Sequence, residues 1–267
     1  MGNPKALILA GFGHNCEDET AVALRRAGAS PKQVNINDLV EYPGMLRNYQ
    51  ILVIPGGFSY GDDTGSGYAM AARLGSKVGD EIKQFVDEDK LALGICNGFQ
   101  IMANLGLFPV LGEYGDQEVA LVHNEKPRYT CRWVDLKFDP KNKSPWTEDL
   151  NRLALPIAHG EGRFYAPEAT MVALREKRMV AARYVSGEMC KYLDLPADPN
   201  GSLDNVAALT NAKGNVFGMM PHPERATDFI HLPSWQLTDT HYRRSDRSLP
   251  QEGPGMRIFT NAVNYFR

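Results

Sequence analysis

Residues 91–98 read LALGICNG, and this stretch decides the fold. Leu91–Ile95 is a short apolar run typical of a buried β-strand, and the residues that follow have the spacing of a helix. Gly94, Cys96 and Gly98 have the spacing of a glycine–x–nucleophile–x–glycine turn between strand and helix. We therefore predict that Cys96 lies in a tight strand-to-helix turn at the carboxyl edge of a sheet.

Such a turn suits a reactive thiol for physical reasons. The two glycines keep Cβ atoms from clashing where the backbone turns sharply, which leaves the Cys96 sulfur exposed at the edge of the sheet. The N-terminus of the following helix stabilises a thiolate, which is the nucleophilic form of cysteine. The alternative interpretation is a small buried cysteine that ends a strand, a common position for this residue.

The chain before this stretch alternates strands and helices. Apolar runs predict strands at Ala6–Ala10, Val34–Ile36 and Ile51–Ile54, and helical patterns extend from Cys16 to Gly28 and over Val78–Asp89. Repeated βα units of this length predict an α/β fold with three layers. We expect a mostly parallel central sheet flanked by helices on both faces.

The second half of the chain is richer in strands and turns, and it ends in a predicted helix over Met256–Phe266. The predicted strands are Val119–Val122, Tyr129–Phe138, Ala154–Ala158, Met179–Val185, Val206–Leu209 and Val216–Met220. No internal repeat, low-complexity tract or clear linker interrupts the sequence. We therefore expect residues 1–267 to form a single domain.

A histidine and a glutamate that follow the last predicted strand provide the partners that a cysteine nucleophile needs. Pro221 and Pro223 bracket His222 and favour extended backbone, in which residues two apart point to the same side. His222 and Glu224 are therefore predicted to face one site, with His222 as the base and Glu224 as the group that orients it. Taken alone, the same residues also fit a solvated polar turn after a strand.

A pair of glycines, Gly56 and Gly57, directly follows a predicted strand. Glycines let backbone N–H groups approach a ligand closely. The N–H of Gly57, together with that of Asn97, is predicted to form an oxyanion hole. The alternative is a glycine turn that binds no ligand.

Composition and motif content exclude several classes of function. A net charge of −3 gives no electrostatic case for nucleic acid or an anionic membrane, and no run approaches the roughly 20 apolar residues of a membrane span. The four cysteines form no CxxC pair. Gly11–Cys16 starts like a dinucleotide fingerprint but lacks the third glycine, and GxxxxGK[ST], HExxH and EF-hand patterns are absent. We expect no metal or cofactor on this chain and a cytoplasmic location.

Taken together, the cysteine turn, the His-x-Glu pair and the upstream glycine pair resemble the class I, or triad-type, glutamine amidotransferases, whose fold is flavodoxin-like. Finer sequence blocks resemble one branch of that family, the glutaminase subunits of phosphoribosylformylglycinamidine synthase in purine biosynthesis. The blocks are Gly13–Glu17, Pro55–Asp62, Gly94–Gln100, Cys131–Val134, Ile157–Phe164 and Met220–Arg225. They occur in the order of the family.

The resemblance implies a reaction and partners. Cys96 is expected to attack the side-chain amide of glutamine, with His222 as base and acid, Glu224 as its orienter, and a γ-glutamyl thioester as the intermediate. Gly56, Gln100 and Asn124 are expected to contribute to substrate binding. The ammonia is expected to pass to an ATP- and magnesium-binding synthetase subunit that converts formylglycinamide ribonucleotide to formylglycinamidine ribonucleotide, often with a small third subunit.

Some questions stay open at this level. Residues 226–255 form a polar excursion, and its Trp235, Arg243, Arg244 and Arg247 fit either partner docking or a surface loop. The resemblance gives no role for His159 and Glu161. Two other functions are carried as alternatives, a free-standing hydrolase of similar fold and a non-catalytic binding module.

Overall fold

The computed structural model describes residues 2–62, 65–192 and 194–267, with eleven strands and eight α-helices in these ranges. The strands are β1 (Lys5–Ala10), β2 (Ser30–Asn35), β3 (Ile51–Ile54), β4 (Leu91–Ile95), β5 (Ala120–His123), β6 (Thr130–Phe138), β7 (Arg152–His159), β8 (Glu161–Tyr165), β9 (Val180–Val185), β10 (Val206–Thr210) and β11 (Val216–Met219). The helices are α1 (Glu17–Ala27), α2 (Ile36–Glu41), α3 (Tyr68–Asp87), α4 (Asn97–Asn104), α5 (Glu168–Glu176), α6 (Glu188–Tyr192), α7 (Trp235–Arg244) and α8 (Met256–Asn264).

Nine of these strands form one sheet, in the order β2-β1-β3-β4-β11-β10-β9-β6-β7. The first five are parallel to their neighbours, and the pairings from β11 to β7 are antiparallel. Within the described residues, seven of the nine strands therefore run in one direction, and β10 and β6 run against them. The predicted mostly parallel sheet is confirmed. A separate antiparallel ribbon pairs β5 with β8.

The centre of the sheet is covered on both faces. Every residue of β3 and of β4 is buried, and successive side chains of a strand point to opposite faces. Helix α4 packs on β3 and β4 and against α3, while α1 packs on β1 and against α8. Buried parallel strands flanked by helices agree with the predicted three-layer α/β fold. No helix in the described ranges is long and apolar enough to cross a membrane.

The structure corrects the predicted strand at Val34–Ile36. Strand β2 ends at Asn35, and Ile36 begins helix α2. The reason is local, because the Asn35 side chain accepts a hydrogen bond of 2.9 Å from the N–H of Asn37 and so caps the helix.

The excursion at 226–255 contains a helix that its sequence pattern does not predict. Helix α7 has no buried residue and a strongly polar composition, so its few apolar residues give only a weak helical pattern. The two ends of the excursion are joined, since the N–H of Gly253 donates to the carbonyl of Thr227 at 2.8 Å and that of Gly255 to Ala226 at 2.9 Å. The segment thus leaves the domain and returns to it at one place, and the predicted final helix follows as α8.

Candidate active site

Cys96 occupies the predicted turn between β4 and α4. Its backbone has φ 52° and ψ −107°, a conformation that residues other than glycine seldom adopt. The Cys96 N–H donates a hydrogen bond of 2.8 Å to the carbonyl of Met219 on the neighbouring strand, which holds the turn in this conformation. The sulfur lies 3.9 Å from the carbonyl oxygen of Ala158.

Both glycines of the turn are required by close backbone contacts. A Cβ atom at Gly94 would lie 2.7 Å from the carbonyl oxygen of Gly98, and a Cβ atom at Gly98 would overlap the carbonyl of Ile54 on β3. The turn is therefore packed directly against the backbone of the adjacent strand, where no flexible side chain can move aside.

Substitution of Gly98 by alanine is expected to destabilise the protein by about 3 kcal/mol, because the added methyl group forces β3 and α4 apart. The measurement is the free energy of unfolding from denaturant titration. Gly79→Ala in helix α3 is the matched control, since a Cβ atom there meets nothing within 4 Å, and it is expected to stabilise by about 0.5–1 kcal/mol. Equal stabilities of the two variants would contradict this packing argument.

His222 and Glu224 meet as predicted, although by a different backbone path. His222 itself is extended, and its N–H donates to the carbonyl of Pro156 at 2.8 Å. Pro223 then begins a short 3-10 turn instead of continuing the extended chain. The turn brings Glu224 Oε1 to 2.5 Å from His222 Nδ1, with both side chains buried. Glu224 therefore fixes the orientation of the imidazole ring.

The surroundings of His222 favour the imidazolium form. Burial by itself lowers the pKa of His222, but the negative charges of Glu224 and of the Cys96 thiolate raise it well above its ordinary value. Among the described residues, His222 Nε2 has no hydrogen-bond partner. The ring nitrogen that is not held by Glu224 is thus available for proton transfer.

The glycine pair lies against the same site. A Cβ atom at Gly56 would lie 2.8 Å from His222 Cε1, and one at Gly57 would lie 2.6 Å from His14 Cα. The N–H of Ser59 donates to Asn97 Oδ1 at 3.2 Å, which ties this loop to the start of α4. The backbone groups of Gly57 and Asn97 are therefore on the same side of the sheet as Cys96, although their role as an oxyanion hole stays a prediction.

A cavity of about 180 Å³ opens above Cys96. Its lining residues are Gly57, Phe58, Ser66, Cys96, Gln100, Tyr129, Ala158, His159, Gly160 and Glu161. Three larger depressions in the part of the chain that the structure describes, of about 330, 460 and 610 Å³, lie elsewhere and contain none of the predicted site residues. The small cavity brings together Cys96, Gly57 of the glycine pair and several polar side chains.

The predicted substrate-binding amides occupy different places. Gln100 lines the cavity, where its Nε2 donates to the carbonyl of Glu161 at 2.5 Å and its Oε1 accepts from Asn97 Nδ2 at 3.0 Å. Asn124 is buried behind the lining, and its Nδ2 donates to the carbonyls of Arg128 and His159, each at 3.0 Å. A direct contact of Asn124 with substrate would require these bonds to break.

Cys16 is a site neighbour that the sequence reasoning did not place there. Its sulfur lies within 4.8 Å of ligand-type atoms of His222 and Glu224, and Arg225 Nη2 donates to it at 2.9 Å. Burial raises the pKa of this thiol in spite of the adjacent His222 and Arg225. Cys16 is fully buried and does not line the cavity, so Cys96 is the thiol that a substrate would reach. The block around Cys16 in the family resemblance was the available signal.

Comparison with known proteins agrees with this fold and arrangement of residues. The sequence model of the CobB/CobQ-like glutamine amidotransferase domain matches residues 3–266, so the chain belongs to this family of glutamine amidotransferases.

Several relatives of this chain share one name. It is 41% identical over 266 residues to the phosphoribosylformylglycinamidine synthase subunit PurQ of Methanococcus maripaludis strain C7, covering 98% of this chain and 97% of that protein. It is 36% identical to the subunit of the same name from Dehalococcoides mccartyi, covering 100% and 99%. Among solved structures, PurLQS from Thermotoga maritima matches with a TM-score of 0.73 and 30% identity, covering 99% of this chain and 100% of the matched chain.

Proposed function

We propose that the chain is the glutaminase subunit of phosphoribosylformylglycinamidine synthase in purine biosynthesis. It belongs to the glutamine amidotransferases, and relatives with that subunit name match it over nearly their full lengths. The observation that carries the proposal is the buried His222–Glu224 pair beside Cys96. Cys96 itself lines a cavity of about 180 Å³. Catalysis by a thiol, a base and an orienting carboxylate requires this combination.

In the first half of the reaction, Cys96 acts as the nucleophile. Its thiolate attacks the carboxamide carbon of glutamine, and the backbone N–H groups of Gly57 and Asn97 stabilise the oxyanion that forms. His222 donates a proton to the departing nitrogen, which leaves as ammonia. The product that stays on the chain is a γ-glutamyl thioester of Cys96.

In the second half, water replaces ammonia. His222, now neutral, takes a proton from a water molecule that attacks the thioester carbonyl, and the Cys96 sulfur leaves. Glutamate is released and the imidazolium–thiolate state is restored. Glu224 keeps the imidazole ring in one orientation through both halves, because its carboxylate holds Nδ1.

The ammonia is consumed by a partner. The proposed partner is a synthetase subunit that binds ATP and magnesium and converts formylglycinamide ribonucleotide to formylglycinamidine ribonucleotide, with a small third subunit as a further component. The structure of PurLQS, in which a chain similar to this one occurs, supports such an assembly. We place the reaction in the cytoplasm, where the four free cysteines would stay reduced.

The test is glutamate release from glutamine by the purified chain, measured alone and with the synthetase subunit, formylglycinamide ribonucleotide and ATP. We expect the partner and its substrates to stimulate release, because the synthetase reaction consumes the ammonia that glutamine hydrolysis produces. Equal turnover without the partner would contradict the proposal and favour a free-standing hydrolase. No turnover in either condition would favour a non-catalytic binding module.

A further inference from the structure

His159 is a buried histidine in the cavity that the proposed reaction leaves without a role. It is the last residue of β7, it lines the cavity with Cys96, and only 2% of it is exposed. A Cβ atom at Gly162 would lie 2.5 Å from His159 Nδ1. The imidazole ring therefore fits only because residue 162 has no side chain. The preceding carbonyl, of Ala158, is the one that lies 3.9 Å from the Cys96 sulfur.

The proton on the imidazole ring of His159 is located by its neighbour Asn124. Asn124 Nδ2 donates to two backbone carbonyls, those of Arg128 and His159, which only accept hydrogen bonds. The orientation of the amide is thereby set, and Asn124 Oδ1 is the atom that lies 3.1 Å from His159 Nδ1. Because Oδ1 also only accepts, His159 Nδ1 must carry the hydrogen.

The ring is neutral, so its other nitrogen presents a lone pair. Burial lowers the pKa of His159 to about 3, and the nearby charge of His222 contributes to the same shift. Nε2 of a neutral ring protonated at Nδ1 is an acceptor. In the part of the chain that the structure describes, His159 Nε2 has no hydrogen-bond partner although it is buried. Buried acceptors are rarely left unpaired without a reason, and a ligand that donates is one.

We propose that His159 is a specificity-determining residue, whose Nε2 accepts a hydrogen bond from the carboxamide N–H of glutamine and thereby disfavours glutamate. The inference rests on the proposed glutaminase function. A carboxamide offers two N–H donors, whereas a carboxylate offers none and would direct an oxygen lone pair at the Nε2 lone pair.

The position of His159 near the reacting end of the cavity supports this contact. His159 follows the residue whose carbonyl lies beside the Cys96 sulfur, and the charge of His222 reaches its ring. A neutral acceptor there favours the substrate and, after the thioester is hydrolysed, favours departure of the product. Asn124 takes part indirectly, as the positioning residue that keeps the hydrogen on Nδ1.

The test is ligand binding to the full-length chain carrying Cys96→Ala, which removes turnover, measured by calorimetry with L-glutamine and L-glutamate. His159→Leu removes the acceptor, and we expect the ratio of the glutamate Kd to the glutamine Kd to fall about tenfold or more. His159→Gln can present either an oxygen acceptor or an N–H donor, so its ratio is expected to lie between those of the unsubstituted and the His159→Leu chains. His241→Leu, on the exposed helix α7, is the matched control and should leave the ratio unchanged.

A second measurement does not depend on the stability of the leucine variant. Nitrogen-15 NMR of the Cys96→Ala chain should show His159 protonated at Nδ1, with an Nε2 resonance that moves on addition of glutamine and moves far less with glutamate. A proton on Nε2, an Nε2 resonance insensitive to glutamine, or an unchanged Kd ratio in folded His159→Leu would overturn the inference. If the complex of the unsubstituted chain releases glutamate while one of these results is obtained, only the role of His159 fails. If that complex releases no glutamate, the proposed function fails.

Discussion

Replacement of Cys96 by alanine is expected to lower the rate of glutamate release from glutamine by about 10⁴-fold or more. The variant keeps the cavity and the His222–Glu224 pair but has no sulfur to form the thioester, so the amide would have to react with water directly. The measurement is glutamate formed by the complex with the synthetase subunit under single-turnover and steady-state conditions. Residual activity would come from the predicted oxyanion hole alone.

Two controls make this result specific. Cys190→Ala removes another buried thiol, which lies 3.9 Å from the carbonyl of Val185 and outside the cavity, and it should leave the rate unchanged. The Cys96→Ala complex should still form product when ammonium is supplied in place of glutamine, because the synthetase reaction itself is intact. Retention of more than a tenth of the glutamine-dependent rate would mean that another residue is the nucleophile.

Substitution of His222 by asparagine is expected to cost as much as loss of Cys96, about 10⁴-fold in kcat, because the thiolate and the ammonia-protonating acid depend on one ring. The double variant with Cys96→Ala should be no slower than either single variant, since groups that act as a unit are strongly non-additive. The check is glutamate release by the two single variants and the double variant in the same assay. Additive losses would contradict a shared catalytic unit.

Glu224→Gln provides the graded comparison. The amide can still contact His222 Nδ1, but it lacks the charge that is the largest of the influences raising the pKa of His222. A lost negative charge disfavours the imidazolium, so the pKa of His222 falls. The alkaline limb of the kcat/KM profile should therefore move to lower pH, with a loss of activity smaller than in His222→Asn. An alkaline limb that stays in place would show that Glu224 does not set the charge of this ring.

The parts of this protein that could be predicted from sequence are those whose cause is local. The strand, the turn and the helix around Cys96 lie within fifteen residues, and the backbone contact at Gly94 that demands glycine involves a residue only four positions away. Buried parallel strands are also readable, because continuous apolar runs report burial on both faces. The pairing of His222 with Glu224 was predicted for the same reason, although Pro223 turns the chain where extension was expected.

The sequence predictions were wrong or incomplete where an element has little apolar pattern, or where a residue contacts another residue far away in the sequence. Helix α7 buries no residue and is strongly polar, so its sequence gives only a weak sign of a helix. Strand β2 ends at Asn35 because the side chain of Asn35 caps helix α2. The apolar residues Val34 and Ile36 suggested instead that the strand continues. The sequence around Cys16 indicates the start of a helix and resembles a family block, but it does not indicate the contact with Arg225, which spans 209 positions of sequence.

The sequence by itself determined the α/β class, the strand-to-helix turn at Cys96 and the residue types of the proposed triad, because strand burial, glycine spacing and side-chain chemistry act over a few neighbouring residues. The tertiary structure alone decided that Cys16 lies beside His222 and Glu224, that His159 lines the cavity, and how Asn124 is used. These properties depend on contacts between residues that are far apart in the sequence, such as Asn124 after β5 and His159 at the end of β7, and no short stretch of chain contains both partners.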